Sequence, residues 1–137
     1  AEQIAERTGG TLAQIQRAED YADLQQEAEE EILQGVRPEI TVSVDNVEEY
    51  DTIFVGYSIW WDEAPAMIAT FLESYDFSGK TIIPFNVHNG SRFSRTIQTI
   101  QELEPDATVV EDGFTVSEQT VADAAEDVAA WLEGLGY

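Results

Sequence analysis

The segment Thr52-Ile53-Phe54-Val55-Gly56-Tyr57 most narrows what this chain can become. It is apolar and β-branched without alternating, so it suits a strand buried on both faces. A helical pattern follows over Glu63 to Tyr75. Pro65 is acceptable in its first turn, and Met67, Ile68, Phe71 and Leu72 fall at helical spacing. After the turn Phe77-Ser78-Gly79-Lys80 comes a second such strand, Thr81 to Phe85, in which Pro84 is unusual for a central position. Asn86 to Ser94 reads as a polar loop and Ser94 to Leu103 as a helix. Ala107 to Val110 reads as a third core strand, with Gly113 to Val116 as a short extension. An amphipathic helix from Ser117 through Leu132 closes at Gly134 and Gly136. Alternation of this kind predicts an α/β fold with a parallel sheet covered on both faces by helices. The whole chain, 1–137, fits one domain with one core.

The first third is less regular. Ala1 to Arg7 reads as the end of a helix stopped by Gly9-Gly10, with no strand leading into it. Thr11 to Gln16 reads as a short strand. Tyr21 to Leu33 reads as a strongly acidic helix ending at Gly35. Val36 to Val47 is expected to be extended or irregular, and Asn46 to Tyr50 to be a turn.

Charge and missing residue types exclude several functions. The net charge is −22, from 28 acidic and 6 basic residues. Nucleic acid binding is not expected, because phosphate contacts need Lys and Arg. The acidity fits either steering toward a basic partner or general solvation, as at high salt. There is no cysteine, which excludes disulfides and thiolate chemistry, and His88 is the single histidine, so no multi-histidine metal site can form. No run approaches the roughly 20 apolar residues that span a bilayer, and the start does not read as a secretory signal. Nothing asks for an oxidising compartment, and a cytoplasmic place is the expectation.

In an open parallel sheet, ligands bind outside the carboxyl ends of the strands. Two loops leave such ends, Ser58 to Pro65 and Asn86 to Ser94. The first holds Trp60 and Trp61 side by side. Adjacent indoles in an extended loop cannot both face the core, and an exposed one is a platform for a flat ring. A hydrophobic plug between loop and helix is the plain structural alternative. The second loop is Asn86-Val87-His88-Asn89-Gly90-Ser91-Arg92. Gly90 permits close backbone approach, and polar groups there can meet ring oxygens and nitrogens. An ordinary turn has the same composition. His88 reads as a hydrogen-bonding loop residue more than as an acid or base. No hydrolytic triad or paired carboxylates stand out.

These loops carry a resemblance. Tyr50 to Trp61, then Ala64-Pro65, Thr70 to Thr81, Pro84-Phe85, His88-Asn89-Gly90-Ser91 and Trp131-Leu132 with Gly134 resemble flavodoxins, particularly the short flavodoxin-like proteins of bacteria and archaea. The resemblance implies a three-layer sandwich with strand order 2-1-3-4-5 and flavin mononucleotide (FMN) at the switch point. It further implies that Ser58, Ile59, Trp60 and Trp61 line one side of the flavin ring, with Trp60 stacking. Asn86, Val87, His88, Asn89, Gly90 and Ser91 then edge the other side. Arg92 stands where the family often has a small residue. The larger departure is at the start. The family's first strand and its phosphate loop have no counterpart before Ala1. Either these residues are a fragment of a longer chain, or strand edges are expected to lie unpaired unless flanking strands pair directly or strands exchange in a homodimer.

Two functions follow. One is an FMN-binding electron carrier or small flavin-dependent oxidoreductase, working with a redox partner protein or a small-molecule electron acceptor. The other is a flavin-free scaffold or interaction module on the same fold, since fold alone does not establish function.

Overall fold

The computed structural model describes residues 1–17, 34–35, 37–42, 46–59 and 64–137. The expected helix at Tyr21 to Leu33 lies outside the described residues, as do Trp60 and Trp61. In chain order the elements are α1 (Glu2–Thr8), β1 (Ile15–Arg17), β2 (Ile40–Val42), a 3-10 turn (Val47–Glu49) and β3 (Thr52–Ser58). Then follow α2 (Ala66–Ser74), β4 (Thr81–His88), α3 (Thr96–Leu103), β5 (Thr108–Val109), β6 (Phe114–Ser117) and α4 (Ala125–Gly134).

The sheet is parallel. β3 pairs β4 from Thr52↔Thr81 to Ser58↔Val87. On its other side β4 pairs β5 at Thr81 and Ile82, then β6 from Phe85 to His88. The two apolar runs therefore lie side by side, as their double-faced hydrophobicity requires. Val55, Tyr57, Ile82 and Phe77 join Ile68, Phe71 and Leu72 of α2 and Ile100 of α3 in the core. Leu72, Phe77 and Ile82 are fully buried, each contributing roughly 1.5–3 kcal/mol. On the other face Phe54 meets Trp131 and Tyr137 edge-on at centroid distances of 5.9 and 5.7 Å. There α1 lies along α4, tied by Gln3 Nε2 to Ala125 O at 2.7 Å and Arg7 to Glu133 at 3.1 Å.

Pro84 sits in the middle of the central strand. The Val110 N–H donates to Ile82 O at 2.9 Å, and the Ile59 N–H donates to Val87 O at 3.1 Å. Ile82 thus faces β5 and Val87 faces β3. Parallel strands alternate sides, so Pro84 faces β5 and β6 as well. There the chain leaves the ladder between Val109 and Phe114, so no pairing is lost by the missing N–H. Gly113 in that detour lies so close that a Cβ would stand 2.2 Å from Pro84 O.

Two expectations are corrected. The strand expected at Thr11 to Gln16 forms at Ile15–Arg17 and does not join the parallel sheet; it pairs antiparallel with β2. The pair packs beside α2, with Ile15 and Ile40 against the core, Thr70 Oγ1 donating to Pro38 O at 3.0 Å and Arg37 on Glu73 at 3.0 Å. The edge of β3 away from β4 carries no strand among the described residues. Neither direct pairing of the flanking strands nor any other bridge across that edge is seen there. Second, the last helix starts at Ala125, not at Ser117. Ser117 ends β6 and turns the chain, accepting the Gln119 N–H on its Oγ and the Thr120 N–H on its carbonyl. Among the described residues no helix is long and apolar enough to cross a membrane.

Candidate functional site

The carboxyl ends of β3 and β4 lie side by side because the two strands are in register to their last residues. Ser58 stands opposite Val87, and the Ile59 N–H donates to Val87 O. The two loops singled out in the sequence therefore leave the sheet next to each other. Ser58 is exposed, while Ile59 is half-buried against the core.

Beyond β4 the predicted ring-edge residues divide by the strand's alternation. Asn86 is 2% exposed and points into the α2–α3 side. Val87 turns to the opposite face, toward α1 and α4. There it helps wall a cleft of about 340 Å³ with Ile4, Phe85, Phe114, Val116 and Val128. His88 is half-buried, and its Nδ1 accepts the Gly90 N–H at 2.8 Å. That bond leaves Nε2 as the atom carrying the proton of the neutral ring. Asn89, Gly90 and Ser91 form the exposed tip. Gly90 takes φ +107, and beyond its two chain neighbours no atom lies within 4 Å of where its Cβ would be. A polar, backbone-rich tip with open space in front of it fits the polar edge of a flat ring.

The return of the loop is held from beneath. The Asn86 Nδ2 donates to Arg92 O at 3.2 Å, and the Thr115 hydroxyl of β6 donates to Asn86 Oδ1. Thr96 Oγ1 donates to Phe93 O at 2.7 Å. Its one proton is then committed, so the buried Tyr57 hydroxyl at 2.7 Å donates to Thr96 Oγ1. Between these anchors Arg92 and Ser94 both take left-handed backbone, with φ of 56 and 48. Such conformations are costly for non-glycine residues and persist only where the surroundings enforce them. Thr115, Thr96 and Tyr57 were not legible as site residues. They lie on three other elements, and nothing local marks them.

The described residues of the site offer an open polar loop tip beside the ends of β3 and β4 and an exposed cation, Arg92, but no arrangement of nucleophile and base. Redox chemistry there would have to come from a bound group.

No relative is found among curated proteins. Among solved structures, the chain is similar to a presumed flavoprotein of Bacteroides eggerthii, with 26% identity and a TM-score of 0.75 over 99% of this chain and 87% of that one. A presumed flavoprotein of Bacteroides uniformis is 28% identical, with a TM-score of 0.71 over 93% of this chain and 86% of that one. A flavoprotein of Lactobacillus acidophilus, solved in complex with FMN, shares the fold at 19% identity. Its TM-score is 0.69, over 91% of this chain and 87% of that one. A family model described as flavodoxin matches residues 1–135. Sheet, helical layers and this match over almost the full length agree: the chain belongs to the flavodoxin family.

Proposed function

We propose that this chain binds FMN between the loops that follow β3 and β4 and serves as an electron carrier or a small flavin-dependent oxidoreductase. The register of β3 on β4 carries the reading. It brings Ser58 and Ile59 beside Val87, so that the two loops start next to each other at the strands' carboxyl ends, where ligands of such sheets bind. In this reading Ser58, Ile59, Trp60 and Trp61 border one side of the flavin ring, with Trp60 stacked on it. Val87, His88, Asn89, Gly90 and Ser91 border the other, and Asn86 acts from below by holding the loop. The FMN in the Lactobacillus acidophilus flavoprotein supports the choice of flavin. The flavin supplies the one- and two-electron chemistry, and the chain orients it and sets its surroundings. The electron partner is then a protein or a small-molecule acceptor.

The test is a titration of the 137-residue chain with FMN, following tryptophan fluorescence and flavin absorption. Saturable quenching at about micromolar concentration or below is expected, weakened roughly tenfold or more in Trp60→Ala by loss of stacking. No saturable quenching would overturn the reading and favour a flavin-free scaffold on the same fold.

A further inference from the structure

The tip of the loop after β4 joins three groups whose chemistry ring binding does not use. Asn89 is the one asparagine in the sequence that precedes a glycine; Asn46 and Asn86, the other two, precede valine. Asn89 and Gly90 are exposed, while His88 is half-buried at the end of β4. The Gly90 N–H donates to His88 Nδ1 at 2.8 Å.

An asparagine side chain carries its amide carbon within reach of the next residue's backbone nitrogen, so a five-membered imide can close between them. Two obstacles ordinarily slow this closure. The next side chain crowds the nitrogen, and a backbone N–H gives up its proton reluctantly. Gly90 removes the first obstacle: it has no Cβ, and beyond its two chain neighbours no atom lies within 4 Å of where one would be. His88 acts on the second. A general base has to lie within roughly 2.6–3.2 Å of the atom whose proton it takes, and Nδ1 already holds that hydrogen. Accepting it occupies the Nδ1 lone pair, so this nitrogen is the unprotonated one, free to receive a proton.

We propose that the loop tip is a self-modification site, at which His88 is the base that converts Asn89 to aspartate and isoaspartate. The Gly90 nitrogen bonds to Asn89 Cγ as its proton passes to His88 Nδ1. The Cγ–Nδ2 bond breaks, and Nδ2 takes that proton back from the imidazolium and leaves as ammonia. Water then opens the imide. Cleavage between the nitrogen and Cγ gives aspartate. Cleavage between the nitrogen and the backbone carbonyl carbon of residue 89 gives isoaspartate, in which the chain runs through Cγ. Nothing is oxidised or reduced, and water is the co-reactant; the exposed tip admits it and releases the ammonia. Either product adds a negative charge to the loop, and isoaspartate also lengthens its backbone. In the proposed flavin site this change falls at the polar edge of the ring, but the chemistry itself does not rest on that reading.

The experiment follows the folded 137-residue chain at one mildly basic pH, beside its urea-unfolded form in the same buffer. Peptide mapping reads residue 89, and released ammonia is measured in parallel. The unfolded form reports the Asn-Gly pair without a positioned base. The folded chain should lose Asn89 about tenfold or more faster than the unfolded one and yield both products. Asn46 and Asn86 should stay intact. His88→Ser separates the base from the turn. A serine hydroxyl can accept the N–H two residues on, as Ser117 Oγ does from Gln119 at 3.2 Å, yet it takes up no proton near neutral pH. This variant should lose Asn89 about tenfold or more slowly than the parent. His88→Ala, lacking both base and turn bond, should fall to the unfolded rate. A folded parent that keeps Asn89 as long as the unfolded chain, a His88→Ser that matches the parent, or aspartate formed without isoaspartate would overturn the proposal.

Discussion

Replacing Asn86 by Asp changes one amide nitrogen to oxygen beneath the loop and should make stability depend on pH in a calculable way. In the parent, Nδ2 donates to Arg92 O while Oδ1 accepts from Thr115, in a position 2% exposed. A neutral carboxylic acid can reproduce both bonds, its O–H replacing the amide N–H. A carboxylate cannot, because it would set a charged oxygen against the Arg92 carbonyl without water. The introduced carboxyl should therefore titrate near about 6.5 in the folded chain, against about 3.9 unfolded. The folded value is the raised one. The fold then binds the extra proton, so stability relative to the parent is retained below the unfolded value and falls as pH rises through the folded one. Linkage gives a deficit of about 1.5 kcal/mol near pH 5 and about 3.5 kcal/mol near pH 8. Urea denaturation of both chains across this range reads it, and the difference between them cancels the titration of the other acids. A difference that stays flat with pH, or below about 0.5 kcal/mol throughout, would show that Asn86 is not the enclosed anchor of the loop.

Two further substitutions probe the frame around the site. Gly113→Ala would push a Cβ to 2.2 Å from Pro84 O and 2.8 Å from Phe93 Cζ. The backbone of the central strand cannot yield cheaply, so a loss of roughly 1–3 kcal/mol in urea denaturation is expected, and an unchanged midpoint would place the detour elsewhere. Glu104 lies at the opposite end of the strands, where partial burial and then the charges of Asp76, Glu73 and Asp106 raise its pKa. Its ionised form opposes folding above that raised value. Glu104→Gln should therefore stabilise the chain near neutral pH by about a few tenths of a kcal/mol, after allowing for solvent screening. The gain should shrink as the pH falls through the raised pKa and vanish below the ordinary carboxylate value, and a gain that persists in acid would count against the repulsion.

What was legible in the sequence was whatever a segment decides by itself. β3 and β4 declare themselves because a run such as Thr52 to Tyr57 has no polar face to give to water. The helices at Ala66–Ser74 and Thr96–Leu103 follow from their spacing of apolar residues. What could not be read depends on partners. Pro84 looked out of place until β5 and β6 were seen to part beside it. The direction of β1 could not be read either, because three residues with one apolar side can pair in more than one way. The parallel sheet of the family would have placed it differently.

The site divides along the same line, and the division says something about how the loop works. Its location is a property of topology, and its tip is written in turn-forming residues, Asn89, Gly90 and Ser91. Its shape is not. No local preference places Arg92 and Ser94 in left-handed backbone. That geometry is imposed by Asn86 with Thr115, and by Thr96 with Tyr57, across strands and a helix start. A loop shaped only by its own turn residues would have to be ordered by its ligand, at a cost in affinity. This one is braced against the sheet beforehand. The buried bonds under Arg92 and Phe93 are therefore as much part of the proposed binding surface as the exposed residues above them. A change beneath the loop should weaken binding without removing a single group that a ligand could touch.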